Sequence, residues 1–302
     1  MAGISASSDI DVLVIGGAGI DTIIRVPELP VPYADSVMVE PIVSYVAHTG
    51  TAVALASRSL GLRVKFVDFL GEDEFGAMVL RRFEEEKLDF SWLPSAAGTT
   101  RAVNLVSADG RRMSFYDARG VEGQQLPESF YGHWLAQARH VHVVIAGHAR
   151  HVLPVVVRSG ASISTDLHDW DGVNEHHRAF ADAADHVFMS AANLGERRDA
   201  VLRGVLAQGR ARTVVATDGA RGAYLATRDT DVVRHFPAVT PPAPVVDSNG
   251  AGDAFVSGFM SGVLRGAPVE ECMRRGLVAG AFACTVHGTA ERFATEADLL
   301  GG

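Results

Sequence analysis

The residues best placed to do chemistry lie in residues 245–259, where Asp247, Gly250, Ala251, Gly252 and Asp253 follow two valines and lead into Phe255 and Phe259. The pattern predicts the end of an apolar strand, a glycine turn and a helix start, with the carboxylate of Asp253 at the junction. Gly250 and Gly252 leave the backbone unshielded, so successive N–H groups can converge on an anion, and the helix start adds the positive end of its dipole. A carboxylate beside such a cradle would not bind phosphate, because like charges repel. It makes sense if Asp253 takes a proton from a hydroxyl that attacks phosphorus. The chemistry implied is phosphoryl transfer to an alcohol; the plainer alternative is a glycine-rich helix cap.

The elements around this stretch have to hold it. Val12 to Ile15 is a buried strand ending in Gly16, Gly17, Ala18 and Gly19, which invites a dinucleotide-binding reading. That reading lacks its third glycine, since Thr22 stands there, and Ile23 to Val26 continues as a strand where a helix should open. Residues 33–47 and 103–116, the latter around Asp109 and Gly110, alternate β-branched residues and predict strands without intervening helix. A small-residue helix runs from His48 to near Gly61, and another covers residues 77–87. Further strands are expected at 141–145, 162–166, 186–190 and 213–217, and a last helix at 269–286. Strands alternating with helices over residues 130–290 predict an α/β fold, a mostly parallel sheet flanked by helices on both faces. His140, His142, His148 and His151 lack the ligand set of a metal site: two share a strand face, two lie beyond a glycine, and no Cys or carboxylate joins them.

At 302 residues the chain is long enough for one large α/β domain or two ordinary ones. A net charge of −9 argues against nucleic acid or an anionic membrane as partner and leaves a small molecule. Cys272 and Cys284 sit in apolar, helix-like sequence without metal spacing and read as reduced thiols of a cytoplasmic protein. The apolar run at Val12 is too short for a signal core or a membrane span.

Asp247, Ser248, Asn249, Gly250, Ala251, Gly252 and Asp253 resemble the Asp-Thr/Ser-x-Gly-Ala-Gly-Asp signature of the ribokinase or PfkB-type family of sugar and nucleoside kinases. The resemblance implies a ribokinase-like fold over residues 1–302, with a small β-sheet lid from segments at about 33–47 and 97–118. It implies that Asp253 is the catalytic base and that Gly250, Ala251 and Gly252 form the anion hole. Asp21 falls where the family binds substrate hydroxyls, a task suited to a group that accepts two hydrogen bonds. The family's Gly-Gly-x-x-x-Asn element falls on Ala47, His48 and Ala52, so the paired glycines and the sugar-reading asparagine are absent; Gly50 remains, and His48, ahead of Thr49 and Thr51, is the candidate replacement for the lost polar contact. His148 is a second substrate candidate. Asp166 corresponds to a carboxylate near the magnesium and phosphates. Asn193 and Glu196 match the Asn-x-x-Glu motif, one helical turn that holds Mg²⁺ through water. Thr217, Gly219 and Gly222 match a segment lying along the nucleotide phosphates, with Arg221 as added charge, and His287 and Gly288 fall on the adenine side.

The reading is therefore an ATP- and Mg²⁺-dependent kinase that phosphorylates a hydroxymethyl group, with Asp247 as a monovalent-cation (K⁺) ligand and a homodimer formed through the lid as further expectations. The absent asparagine, with His48, Phe115, Tyr116 and Trp170 near pocket positions, tilts it slightly towards a nucleoside over a simple sugar. A non-catalytic sensor of the same fold is the alternative from another class, and an intact Asp253 argues against it.

Overall fold

An unbroken apolar run calls for a strand buried on both faces, and Leu13, Val14 and Ile15 are fully shielded from solvent. The computed structural model describes residues 9–108, 110–117, 123–288 and 290–301. Residues 1–8, Asp109 of the expected turn, Ala118 at the end of the expected lid segment and Thr289 beside the adenine-side pair lie outside the described residues.

The chain opens with β1 (Ile10–Ile15), β2 (Gly19–Val26), β3 (Val43–Ala47), α1 (Thr49–Ser59), β4 (Val64–Leu70), α2 (Glu74–Glu85) and β5 (Asp89–Pro94). It continues through β6 (Arg101–Ser107), β7 (Arg112–Tyr116), α3 (Glu128–Leu135), β8 (Ala138–Val143), α4 (Leu153–Ser159), β9 (Ser162–Asp166) and α5 (Glu175–Ala183). The last third holds β10 (His186–Ser190), α6 (Arg198–Gln208), β11 (Thr213–Thr217), β12 (Ala223–Thr227), β13 (Arg234–Phe236), α7 (Ala251–Leu264), α8 (Val269–Ala283) and α9 (Glu296–Gly301). Among the described residues no helix is long and apolar enough to cross a membrane.

The described strands form a nine-stranded sheet in the order β13-β12-β11-β10-β9-β8-β1-β4-β5 and a four-stranded sheet in the order β3-β2-β6-β7. Neighbours from β11 to β5 run parallel, and β12 and β13 close one edge antiparallel. This is the α/β architecture expected. One face of the large sheet buries Phe66, Phe83, Phe255 and Phe259, and the other Tyr131, Trp170, Phe180 and Leu202. Between β8 and β9, His140 bonds Ser162 and Ser164 at 2.7 Å each and His142 bonds Ser164 at 2.9 Å. Burial holds both rings uncharged, His142 down at about 3, so these histidines are core hydrogen-bonding groups.

The small sheet differs from expectation in its first half. Only Val43–Ala47 of residues 33–47 is strand, and it pairs with β2, Ile20 opposite Val46 and Asp21 opposite Tyr45. Residues 27–42 carry Pro27, Pro30, Pro32 and Pro41, which donate no backbone hydrogen bond, and run as an irregular, mostly exposed segment. The second half, β6 and β7, lies where the alternation predicted strands. The last long helix ends at Ala283 rather than Val286.

The helix bearing Asp253 is apolar on all sides and buried from Asp253 through Gly262, as a helix enclosed by other elements must be. It lies against α8 so closely that a Cβ on Gly258 would stand 2.6 Å from the Arg275 carbonyl oxygen. Arg275 itself is 3% exposed and locks the layer, donating to Ser261 Oγ at 3.0 Å and to both Glu296 carboxylate oxygens at 2.9 and 2.5 Å. Gly258→Val is expected to lower unfolding stability by about 1–3 kcal/mol, because the backbone it meets cannot yield. Gly204→Ala in α6, where nothing lies within 4 Å of the added methyl, is expected to gain up to about 1 kcal/mol of helix propensity. Urea unfolding of the pair checks this; a harmless Gly258→Val would contradict the tight α7–α8 seam.

Candidate active site

The strand order reverses at β1, with β4 and β5 to one side and the later strands to the other, so a crevice opens beyond the carboxyl ends of β1 and β8. Two helices begin there. Both α1, capped by His48, and α7, capped by Gly250, start from a residue with φ of 73°, and neither cap makes a side-chain hydrogen bond to its helix. Ser257 Oγ lies between the two helices, 3.0 Å from the Asp253 carbonyl of its own helix and 3.3 Å from the Val53 carbonyl of α1.

Asp253 lies in the first turn of α7 and is only 9% exposed. Burial first, then the neighbouring Asp166 carboxylate, pushes its pKa well above the ordinary carboxylate range; Asp21 adds to this and the Arg112 guanidinium opposes it. Asp166, at the end of β9, accepts from His168 N–H at 2.9 Å, and its other oxygen lies 3.7 Å from where a Gly252 Cβ would be. A raised pKa makes the ionised form of such a carboxyl a stronger base, suited to take a proton from an alcohol once it has lost its own.

Across the crevice Asp21 and His48 meet at 3.3 Å (Oδ1 to Nε2), each side chain 10% exposed. The contact lacks hydrogen-bond alignment, so His48 Nε2 is buried without a hydrogen-bond partner. The His48 ring packs on Gly19, where a Cβ would come within 2.5 Å of it, and faces the Tyr116 ring edge-on at 6.3 Å. Tyr116 is largely exposed, and its phenol pKa is raised by burial and by the Asp21 carboxylate, with Arg112 opposing. His148 forms the floor, its Nε2 2.8 Å from Asp68 Oδ1, while Asp68 also accepts from Ala18 N–H at 2.7 Å. Gly50 lets α1 approach β1: a Cβ there would stand 1.9 Å from the Gly16 carbonyl oxygen. Ala47 and Ala52 are wholly buried.

Two of the pocket aromatics lie elsewhere. Trp170 is buried in the core on the opposite face of the large sheet, bonding the Asn174 carbonyl, and Phe115 alternates to the outer side of β7 from Tyr116. The tilt towards a nucleoside loses these two rings and keeps its other grounds, the absent asparagine, His48 and Tyr116.

Strand alternation also puts Arg112, Ser114 and Tyr116 on one side of β7. Arg112 Nη1 donates to Asn249 Oδ1 at 2.8 Å, which leaves Asn249 Nδ2 buried without a hydrogen-bond partner. The sequence reading missed Arg112; the two-residue period through Tyr116 was the available signal. It also missed the role of Arg25 on β2, whose Nη2 lies 2.9 Å from His287 Nδ1 and 3.5 Å from Asp247 Oδ2.

On the nucleotide side, Thr217 ends β11, with its Oγ1 3.4 Å from the Met189 carbonyl, and Gly219 opens an exposed 3₁₀ turn with free space around it. Gly222 packs on β13, where a Cβ would meet the Phe236 carbonyl at 2.1 Å. Arg221 is exposed and bidentate to Asp218 at 2.8 and 2.6 Å, so its charge is already paired. Asn193 and Glu196 do not share a helical face: Asn193 precedes a turn at Gly195–Arg197, and Gly195 has a φ of 52°. Asn193 Nδ2 donates to the Asp169 carbonyl at 2.8 Å and Glu196 is exposed, and among the described residues no three His, Cys, Asp or Glu side chains gather as metal ligands. Gly288 N–H faces Asp247 Oδ2 at 3.4 Å, so His287 and Gly288 are folded against Asp247 and β2. Donors already surround that carboxylate, and its setting does not fit a monovalent cation.

Residues 9–296 match the pfkB family of carbohydrate kinases. An acarbose 7(IV)-phosphotransferase of Actinoplanes sp. is 49% identical over 295 residues, 97% of this chain and 98% of that protein. The solved structure of a microbiome-derived acarbose kinase superposes with a TM-score of 0.89 at 41% identity, covering 97% of this chain and 98% of that one. A ribokinase structure from Giardia lamblia, 16% identical, shares the fold with a TM-score of 0.84 over 97% of this chain and 99% of that one.

A carboxylate whose folded pKa lies above its unfolded value weakens the fold once pH exceeds that unfolded value, about 4. Asp253→Asn is therefore expected to melt several degrees above the wild type at pH 8, with the gap closing as pH falls towards about 4. A variant that melts at or below the wild type at pH 8 would contradict the strained burial of Asp253.

Proposed function

The chain belongs to the pfkB family of carbohydrate kinases, and from that premise we propose that it transfers the γ-phosphoryl group of ATP to a hydroxymethyl group of acarbose or an oligosaccharide of that kind. The observation that carries the transfer is the buried, proton-retaining Asp253 at the open start of α7. The acceptor is suggested by two acarbose-acting relatives that match the chain from end to end, and by Ala47 and Ala52 standing where the family's sugar-reading residues are absent.

The acceptor lies between Asp21, His48 and Tyr116. Asp21 accepts from its hydroxyls and His48 Nε2 supplies the contact that alanine cannot. Asp253 takes the hydroxyl proton as that oxygen attacks the γ-phosphorus; the new P–O bond forms as the bond to the ADP oxygen breaks. The amides of Gly250 and Gly252, the unpartnered Asn249 Nδ2 and the Arg112 guanidinium would meet the charge that develops on the phosphoryl oxygens, while Ala251 N–H donates to the Ser248 carbonyl at 3.3 Å. Thr217, Gly219 and Gly222 would line the remaining phosphates, while His287 and Gly288 are engaged by Arg25 and Asp247. Glu196 and Asn193 are the residues that would hold Mg²⁺ through water, and the ion would supply positive charge to the phosphates. The lid excludes competing water. Its outer face exposes Met113 and Phe115, 48% and 50%, which supports pairing of two copies there.

Mg·ATP turnover, followed as ADP release across acarbose, pentoses, hexoses and nucleosides, tests the proposal. Acarbose is expected to be the best acceptor, with kcat/KM rising with pH as Asp253 loses its proton, and Asp253→Asn to be slower by about 10²–10⁴-fold. Preference for a free pentose or nucleoside would overturn the acceptor, and an undiminished Asp253→Asn would remove Asp253 as the base.

A further inference from the structure

Asp247 opens the anion-hole segment, and its side chain is only 2% exposed. A buried carboxylate needs compensation. Part comes from the backbone: Oδ1 accepts from Asn249 N–H at 2.9 Å, and Oδ2 faces Gly288 N–H at 3.4 Å. The same segment is tied to the end of α8, where Val246 and Asp247 N–H both point at the Cys284 carbonyl, at 2.9 and 3.3 Å. The full positive charge comes from the lid, because Arg25 Nη2 stands 3.5 Å from Asp247 Oδ2. Its guanidinium is steadied by His287 Nδ1 at 2.9 Å and by Glu40 at 4.0 Å.

Arg25 lies on the strand that carries Asp21. With a period of two, Asp21, Ile23 and Arg25 share a side of β2, so one rigid strand presents a carboxylate to the acceptor and a guanidinium to the anion-hole segment. An alkali ion at Asp247 would have to sit beside this guanidinium, next to an oxygen already faced by a second donor.

We propose that Arg25 is the resident cation of this site: it takes at Asp247 the place of a monovalent metal ion, makes the anion-hole segment independent of alkali ions, and couples that segment to the position of the lid. Arg25 is a positioning residue that acts through Asp247 and the turn from Asn249 to Gly252. Its effect on catalysis rests on the kinase reading above, but its effect on the fold does not, so the test has an arm without substrate.

Thermal unfolding of the wild type, Arg25→Ala, Arg25→Gln and Arg25→Lys is measured at one ionic strength in potassium, sodium and tetramethylammonium chloride, the last cation being too large to enter. Mg·ATP-dependent phosphorylation of acarbose is measured in the same salts. The wild type is expected to melt alike in all three and to turn over at rates agreeing within about twofold, since no ion selects its folded state. Arg25→Ala and Arg25→Gln are expected to lose roughly tenfold or more in turnover in tetramethylammonium and to recover part of it in potassium, with a melting temperature that rises with potassium concentration. Arg25→Lys keeps a charge on the lid strand and is expected to regain the wild type's indifference to salt.

Wild-type melting or turnover that depends on potassium would overturn the proposal, as would salt-indifferent Arg25→Ala and Arg25→Gln proteins. If neither neutral variant folds, the wild type and Arg25→Lys decide it by the same criterion. Failure of acarbose as acceptor would remove the turnover arm alone and leave the melting arm to decide.

Discussion

The arrangement depends on keeping one carboxylate, Asp253, out of water at the start of a helix that is itself enclosed. Charge there is disfavoured by burial and by Asp166, so the group can exist only if packing holds it in place. The packing is supplied by α7 against α8, with Gly258 pressed on the Arg275 backbone and Arg275 fixed by Glu296. Positive charge reaches the region from the small sheet: Arg112 meets Asn249 and Arg25 meets Asp247. Charge balance at the turn from Asp247 to Gly252 and the position of the small sheet are therefore one problem.

The two helix starts divide the crevice between them. His48 and Gly250 have nearly the same unusual φ, and each leaves the first amides of its helix without a side-chain cap. On the proposed reading, α1 offers its start to the acceptor and α7 to the phosphoryl group. Holding His48 at a positive φ is unfavourable for a residue with a side chain. What it achieves is to turn the ring onto Gly19 and bring Nε2 to Asp21.

Features set by a short stretch of chain were legible in the sequence. The turn from Asp247 to Asp253, the buried strands of the large sheet and the strand character after Gly19 all follow from local pattern. Features set by distant pairing were not. Arg112 reaches a residue 137 positions away and Arg25 meets one 262 away, and nothing in the local sequence of either strand names its partner. The lid's first strand was overextended because alternation through Val37 and Val39 outweighed Pro41, which cannot donate to a ladder. Phe115 and Trp170 were taken for pocket residues by proximity in sequence; strand parity turns one outward, and the core on the far face of the sheet takes the other.

The most direct measurement is a crystal structure of the ternary complex with Mg²⁺, a non-hydrolysable ATP analogue and acarbose. The account predicts a hydroxymethyl oxygen within about 2.6–3.2 Å of the Asp253 carboxylate and in line with the terminal phosphorus, with its ring against Asp21 and His48. An acceptor oxygen placed against another base, with Asp253 facing only protein, would contradict it.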